Sequence, residues 1–383
     1  MYSNATWTTA RAFWIKLANT LRLRLLLHYS TKNPAFAVTE MTNLINTTGI
    51  TFMSSNADNF QVNFFNVINQ RNPISAFEVS RANYLFADRF MTEMMDAKND
   101  PRRPFYFSIF PLSFTPFNVT TNASSSADSL VFPYTNTIQV GMTVEATGIP
   151  NYTIVKSVTH TPSTNPTKTK IIVNDDETLG YAIASIPSGS SITFKPVYRG
   201  VSAIKPPIAA NNFYSRIHTF LRGAVTTPAV GTNSGVYSGA APQRILPYSE
   251  YCFIRAEAAL MGAPGNVQQW FSDGITASMQ EAGVTAGNIT TYLAANGTLT
   301  GTNAQKLQQI IEEKYIALFG VAVEPWNDWR RTGFPAIIPP TNRLSSVTAV
   351  PRSLFYPQSE IDYNPNNPGQ KSVDLQSKVF WDN

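Results

Sequence analysis

The strongest constraint on the fold is a change of period in mid-chain. Before about residue 107 and after about residue 197, apolar residues recur at spacings of three and four, the pattern of amphipathic helices. Between them the pattern shortens. Residues 129–135, 138–146, 152–158, 170–173 and 190–194 are β-branched runs separated by Gly, Pro, Asn and Asp. A sequence written for one period does not serve the other. The expectation is therefore a mainly α protein interrupted by a small all-β module. The expected blocks are a helical part over 1–110, the module over 111–196, and a second helical part over 197–383 with a loop-rich end.

Individual helices follow from the spacing. Trp14, Leu17, Ala18, Leu21 and Leu25 share one face of a first helix. A second runs from Pro73 through Phe77, Ala82 or Tyr84, Phe86, Phe90, Met94 and Met95, and stops at Asn99-Asp100-Pro101. Later helices are expected over 244–260, with Tyr251, Ile254, Ala258 and Met261 on one face, over 267–281 and over 306–319. Gly283 and Gly320 stand where C-caps are needed. Residues 335–383 read as ordered loop, because Phe355, Tyr356, Tyr363, Phe380 and Trp381 need burial.

Composition excludes several classes. The 12% aromatic and 43% hydrophobic content rules out disorder for the bulk of the chain. The +5 net charge is not gathered on one helix, so no nucleic-acid partner is expected. One cysteine, Cys252, allows neither an intramolecular disulfide nor a thiolate metal cluster, and its mid-helix setting reads as inert. The histidines His28, His160 and His218 lack helical zinc spacing. Lys16, Arg22 and Arg24 interrupt the apolar start, so it reads as a folded helix and not a signal segment.

Chemistry is hard to find. No nucleophile elbow, phosphate loop or dinucleotide fingerprint occurs. Glu250 and Glu257 lie too far apart along a helix for a retaining glycosidase pair. Glu324 and Asp328 bracket Trp326 and Trp329, a constellation able to hold a sugar or simply to pair with Arg330 and Arg331. Asp175-Asp176-Glu177 offers a calcium site or a solvated turn. No cofactor, metal or catalytic residue is assigned. Aromatic rings stack on the C–H faces of sugars, which makes Tyr134, Tyr152, Tyr198, Tyr214 and Tyr237 the candidate ligand-binding residues.

Several segments then resemble a known family. Glu312-Glu-Lys-Tyr-Ile-Ala-Leu-Phe-Gly320, followed by Glu324-Pro-Trp-Asn-Asp-Trp-Arg-Arg-Thr-Gly-Phe-Pro335, resembles the late helix and turn of the SusD/RagB proteins of Bacteroidetes. Trp14–Arg24, Asp100-Pro-Arg-Arg-Pro104, Tyr248–Glu257, Val350–Glu360 and Val379-Phe-Trp-Asp382 agree in family order. The resemblance implies a helical fold built on tetratricopeptide-like hairpins. It implies a non-catalytic, cell-surface protein that captures oligosaccharides or polysaccharides and delivers them to a SusC-like TonB-dependent transporter. It implies the extracellular face of the outer membrane, reached through an N-terminal lipid anchor absent from this chain, which opens just before the Trp14 helix and reads as truncated. The β block, about 80 residues, departs from the family pattern. The alternatives are a secreted glycoside hydrolase, which needs two carboxylates across a groove, and a protein-interaction scaffold without a small ligand.

Overall fold

A computed structural model describes residues 6–81, 84–109, 114–203, 213–228, 235–321, 323–340, 343, 345–366 and 369–382. The helices are α1 (Trp7–Tyr29), α2 (Pro34–Asn46), α3 (Pro73–Ser80), α4 (Arg89–Ala97), α5 (Arg103–Tyr106), α6 (Thr219–Arg222), α7 (Tyr248–Leu260), α8 (Val267–Ala282), α9 (Ala286–Asn296), α10 (Asn303–Ala317), α11 (Glu324–Thr332) and α12 (Gln358–Tyr363). The strands are β1 (Phe60–Val62), β2 (Phe117–Thr120), β3 (Ser129–Pro133), β4 (Val144–Glu145), β5 (Ile154–Thr161), β6 (Lys168–Asn174), β7 (Ser191–Phe194), β8 (Val225–Thr227), β9 (Val236–Tyr237) and β10 (Gln243–Leu246). The fold is mainly helical with small sheets. The chain divides into two compact units, one of residues 1–72, 97–102 and 240–383, the other of 73–96 and 103–239.

In the first unit, local chemistry sets the helix ends. Asn33 caps α2, its side chain accepting from the Phe36 N–H, with Pro34 in the first turn. Thr302 and Gln305 form a reciprocal capping box on α10. Gly283 ends α8 at φ 90°, a left-handed conformation that favours glycine. α7 packs against α8 and α10, and α1 against α2 and α7. Leu17, Leu23 and Leu27 of α1 meet Met41 and Leu44 of α2 and Cys252, Ile254 and Ala258 of α7 in one core. β1 pairs antiparallel with β10, Phe60 opposite Leu246.

The face that α1 buries differs from the expected one. Leu17, Leu23 and Leu27 are covered, while Trp14, Ala18, Leu21 and Leu25 face solvent, Leu25 at 58% exposure. The helix is apolar on nearly every side, so period alone does not select its inner face. Polar contacts select it instead. The Asn19 side chain donates to the Thr51 carbonyl at 2.9 Å, and Arg24 holds Glu250 through two bonds of 2.7 Å. Residues 243–246 form a strand, so the helix expected over 244–260 begins at Tyr248. Phe355, Tyr356, Tyr363 and Phe380 are exposed, against the expectation of burial, whereas the half-buried Trp381 stacks on His28 at 5.5 Å.

In the second unit, β2, β7 and β4 form one antiparallel sheet and β3, β6 and β5 another, the strand written last being an edge in each. Strand alternation sends Leu130, Phe132, Ile171, Val173, Ile192 and Phe194 into a shared core. The helix expected from Pro73 to Asn99 is two helices, α3 and α4; Ala82 lies outside the described residues. Tyr198-Arg199-Gly200 then crosses the start of α4. A Cβ on Gly200 would come within 2.4 Å of the Arg89 nitrogen. The missing side chain lets Val201 exchange backbone hydrogen bonds with Ala87 and Arg89, at 2.8 and 2.9 Å.

Candidate functional site

All five candidate tyrosines fall in the second unit, but their settings differ. Tyr214 is 1% exposed. One face lies 4.2 Å from the Arg199 guanidinium carbon, and its ring meets Phe86 edge-on at 5.8 Å. Burial, with Glu177 beside it, pushes its hydroxyl up to about 12. Tyr237 is also buried. Arg222 lies 3.7 Å from its ring centre, and its hydroxyl meets His218 Nδ1 at 2.6 Å. Tyr152 is buried too, donating to Asp96 Oδ2 at 3.0 Å with Arg89 over its ring at 4.9 Å. Tyr198 is half-buried under Arg103, which pairs with the same Asp96. Tyr134 stands out at 47% exposure, edge-on to His160.

These contacts form a ladder of arginines and rings. Arg222 covers Tyr237, Arg216 covers Phe86, Phe86 meets Tyr214, and Arg199 covers Tyr214. Each guanidinium here is held against a π face with little water, an arrangement worth up to about 2 kcal/mol per pair when desolvated. Burial lowers the affinity of all three arginines for their protons, and Arg216 falls to about 10. Tyr214 and Tyr237, the two candidate rings of this ladder, are buried.

One exposed aromatic pair of the second unit lies on residues that spacing assigns to a helix interior. Because α3 ends at Ser80, Tyr84 is not on a helix and stands at 66% exposure. Its ring packs edge-on against exposed Phe77 at 6.3 Å, and Arg81 lies over Phe77 at 5.7 Å. The Glu78 carboxylate fixes the turn, accepting from the backbone N–H groups of Tyr84 and Leu85. Two exposed rings and a guanidinium therefore sit together at the surface.

The acidic candidates are occupied. Glu177 pairs with Arg89 at 2.5 Å, Asp176 with Lys156 at 2.9 Å, and Asp175 accepts from the N–H groups of Glu177 and Thr178. In the first unit, Glu324 meets His28, Asp328 meets Lys314 at 2.7 Å and Arg331 at 2.9 Å, and Arg331 grips Glu257. Burial opposes ionisation of Glu324, yet the His28 bond and the Lys314 charge hold its carboxyl well below the usual range. Trp329 is buried, and Arg330 covers the half-buried Trp326 at 3.9 Å. Glu324 and Asp328 thus each face cationic partners. Burial raises the Cys252 thiol to about 12. Among the described residues no group of His, Cys, Asp and Glu is placed to hold a metal, and no helix is long and apolar enough to cross a membrane.

Comparison with known proteins accounts for the helical frame. A family model described as SusD-like, starch-binding associating with outer membrane, matches residues 9–136 and 209–357. The chain belongs to the SusD-like family. Its fold is shared with a chitin-binding protein at 21% identity and TM-score 0.59, over 97% of this chain and 65% of that one. It is also shared with the protein BT1043, at 18% identity and TM-score 0.54, over 96% and 63%, and with a SusD-like protein of Bacteroidetes, AC2a, at 18% and 0.57, over 97% and 70%. The chain therefore spans just under two thirds of the first two of these structures. No curated protein matches it. Residues 137–208, which the SusD-like family model passes over, hold β4 to β7.

Proposed function

We propose that this SusD-like protein binds glycans at the outer face of the outer membrane and hands oligosaccharides to a SusC-like, TonB-dependent transporter, without chemistry on the sugar. The observation that carries the reading is the exposed Phe77–Tyr84 pair with Arg81 beside it. Ring faces in water attract the C–H faces of pyranose rings, and a guanidinium donates up to five hydrogen bonds to hydroxyls around them. The family description and the chitin-binding neighbour point the same way. In this reading the exposed Tyr134 and the half-buried Tyr198 remain candidate sugar contacts, while the buried Tyr152, Tyr214 and Tyr237 serve the rigidity of the unit. Rigid presentation matters because ordering a loop on binding reduces affinity.

The test is affinity electrophoresis through gels containing neutral polysaccharides such as chitin oligomer conjugates or starch. The Phe77→Ala/Tyr84→Ala variant should lose retardation and keep the parent's urea midpoint. Retardation equal to the parent's would remove the platform from the binding site.

A further inference from the structure

The β module presents a second surface with different chemistry. β6 is the central strand of the sheet β3–β6–β5. Its residues alternate, with Thr169, Ile171 and Val173 fully covered and Lys168 and Lys170 exposed on the opposite face. Residues two apart on a strand point the same way and lie about 7 Å apart. The register places Pro133 and Thr161 on either side of Lys168, and Val131 and Thr159 on either side of Lys170. No carboxylate stands on this face among those positions. The other described lysines of the module are neutralised, Lys156 by Asp176 at 2.9 Å and Lys195 by Glu145 at 2.6 Å. The side chains of Lys168 and Lys170 make no ion pair or hydrogen bond among the described residues.

Lysines on a sheet commonly guard an edge against pairing with another chain. That explanation fails here, because β6 is bonded on both sides. The two ammonium groups stand on one face of a strand paired on both sides, flanked by Thr159 and Thr161. The strand belongs to the stretch that the family model passes over.

We propose that this face binds an acidic polysaccharide, one bearing carboxylates or sulfates along its length. The two ammonium groups meet successive anionic groups and the threonine hydroxyls meet sugar hydroxyls. Charge complementarity selects the occupant. The site is separate from the Phe77–Tyr84 platform and stands or falls without it.

The experiment is titration calorimetry of the whole protein with polygalacturonate and with chondroitin sulfate, using methyl-esterified polygalacturonate as the uncharged control. Lys168→Gln/Lys170→Gln should weaken binding of at least one polyanion tenfold or more. Lys168→Arg/Lys170→Arg should preserve it, and the esterified polymer should bind no better to the parent than to the Gln variant. Raising salt from 50 to 300 mM should weaken the polyanion and leave a neutral glycan unchanged. Failure of both polyanions to bind, equal binding by the Gln variant, or equal binding of the ester would overturn the proposal. Lysine-dependent binding to anionic phospholipid vesicles with no polyanion binding would replace it with a membrane-facing role.

Discussion

Gly200 lies so close to Arg89 that a single added carbon would sit 2.4 Å from the Arg89 backbone nitrogen. The contact ties the return of the chain from the β module to the start of α4. Gly200→Ala forces the two backbones apart and strains the Val201 bonds to Ala87 and Arg89. The expected loss is about 1–3 kcal/mol, the usual range for overpacking, measurable as a fall in urea midpoint. An unchanged midpoint would show that the crossing relaxes without cost.

His218 gives the protein a pH-dependent stability. Burial first, and the Arg222 charge second, push its imidazole down to about 4. An unfolded histidine titrates near about 6.5. Between these values the unfolded chain holds a proton that the folded one refuses. Stability is therefore complete above about pH 6.5 and falls as the pH drops toward 4. Between pH 7.5 and 5 the parent should lose more urea resistance than His218→Gln. Equal losses would assign the acid sensitivity to other groups.

The inner face of α1 is open to a simple comparison. Leu27→Ala removes a fully buried side chain and should cost about 2–5 kcal/mol. Leu25→Ala, two positions earlier and exposed, should stay within about 0.5 kcal/mol. Comparable costs would place α1 in another rotation.

The ladder and the platform separate stability from binding. Tyr214→Ala empties a buried ring site between Phe86 and Arg199, at an expected cost of about 3–5 kcal/mol. Tyr84→Ala should leave stability nearly unchanged and weaken glycan retardation. Thermal unfolding and affinity electrophoresis on the same pair check both halves; a destabilised Tyr84 variant would mean that its ring supports the fold.

Sequence carried the helical frame well and surface detail poorly. Period located α8 and α10, and Gly283 marked the end of α8 because a left-handed cap acts through its own neighbours; the starts at Val267 and Asn303 are set by Asn266 and Thr302, which the periodicity did not single out. α1 failed in orientation because its apolar residues surround the axis, and contacts far along the chain, such as Arg24 with Glu250, choose the buried side. Tyr84 was hidden in a helical pattern whose backbone had already turned at Ser80. Tyr214 and Tyr237 read like exposed candidates because nothing local announces an arginine arriving over the ring. The carboxylates around Trp326 resolved as ion pairs once Lys314, Arg331 and His28 were placed beside them.

The central claim is glycan capture without chemistry. The most direct test is affinity electrophoresis of the parent protein across a panel of polysaccharides, with reducing-sugar release measured on the same samples. The account predicts retardation by at least one glycan and no release of reducing ends. Release of reducing sugar, or migration unaffected by every glycan in the panel, would contradict it.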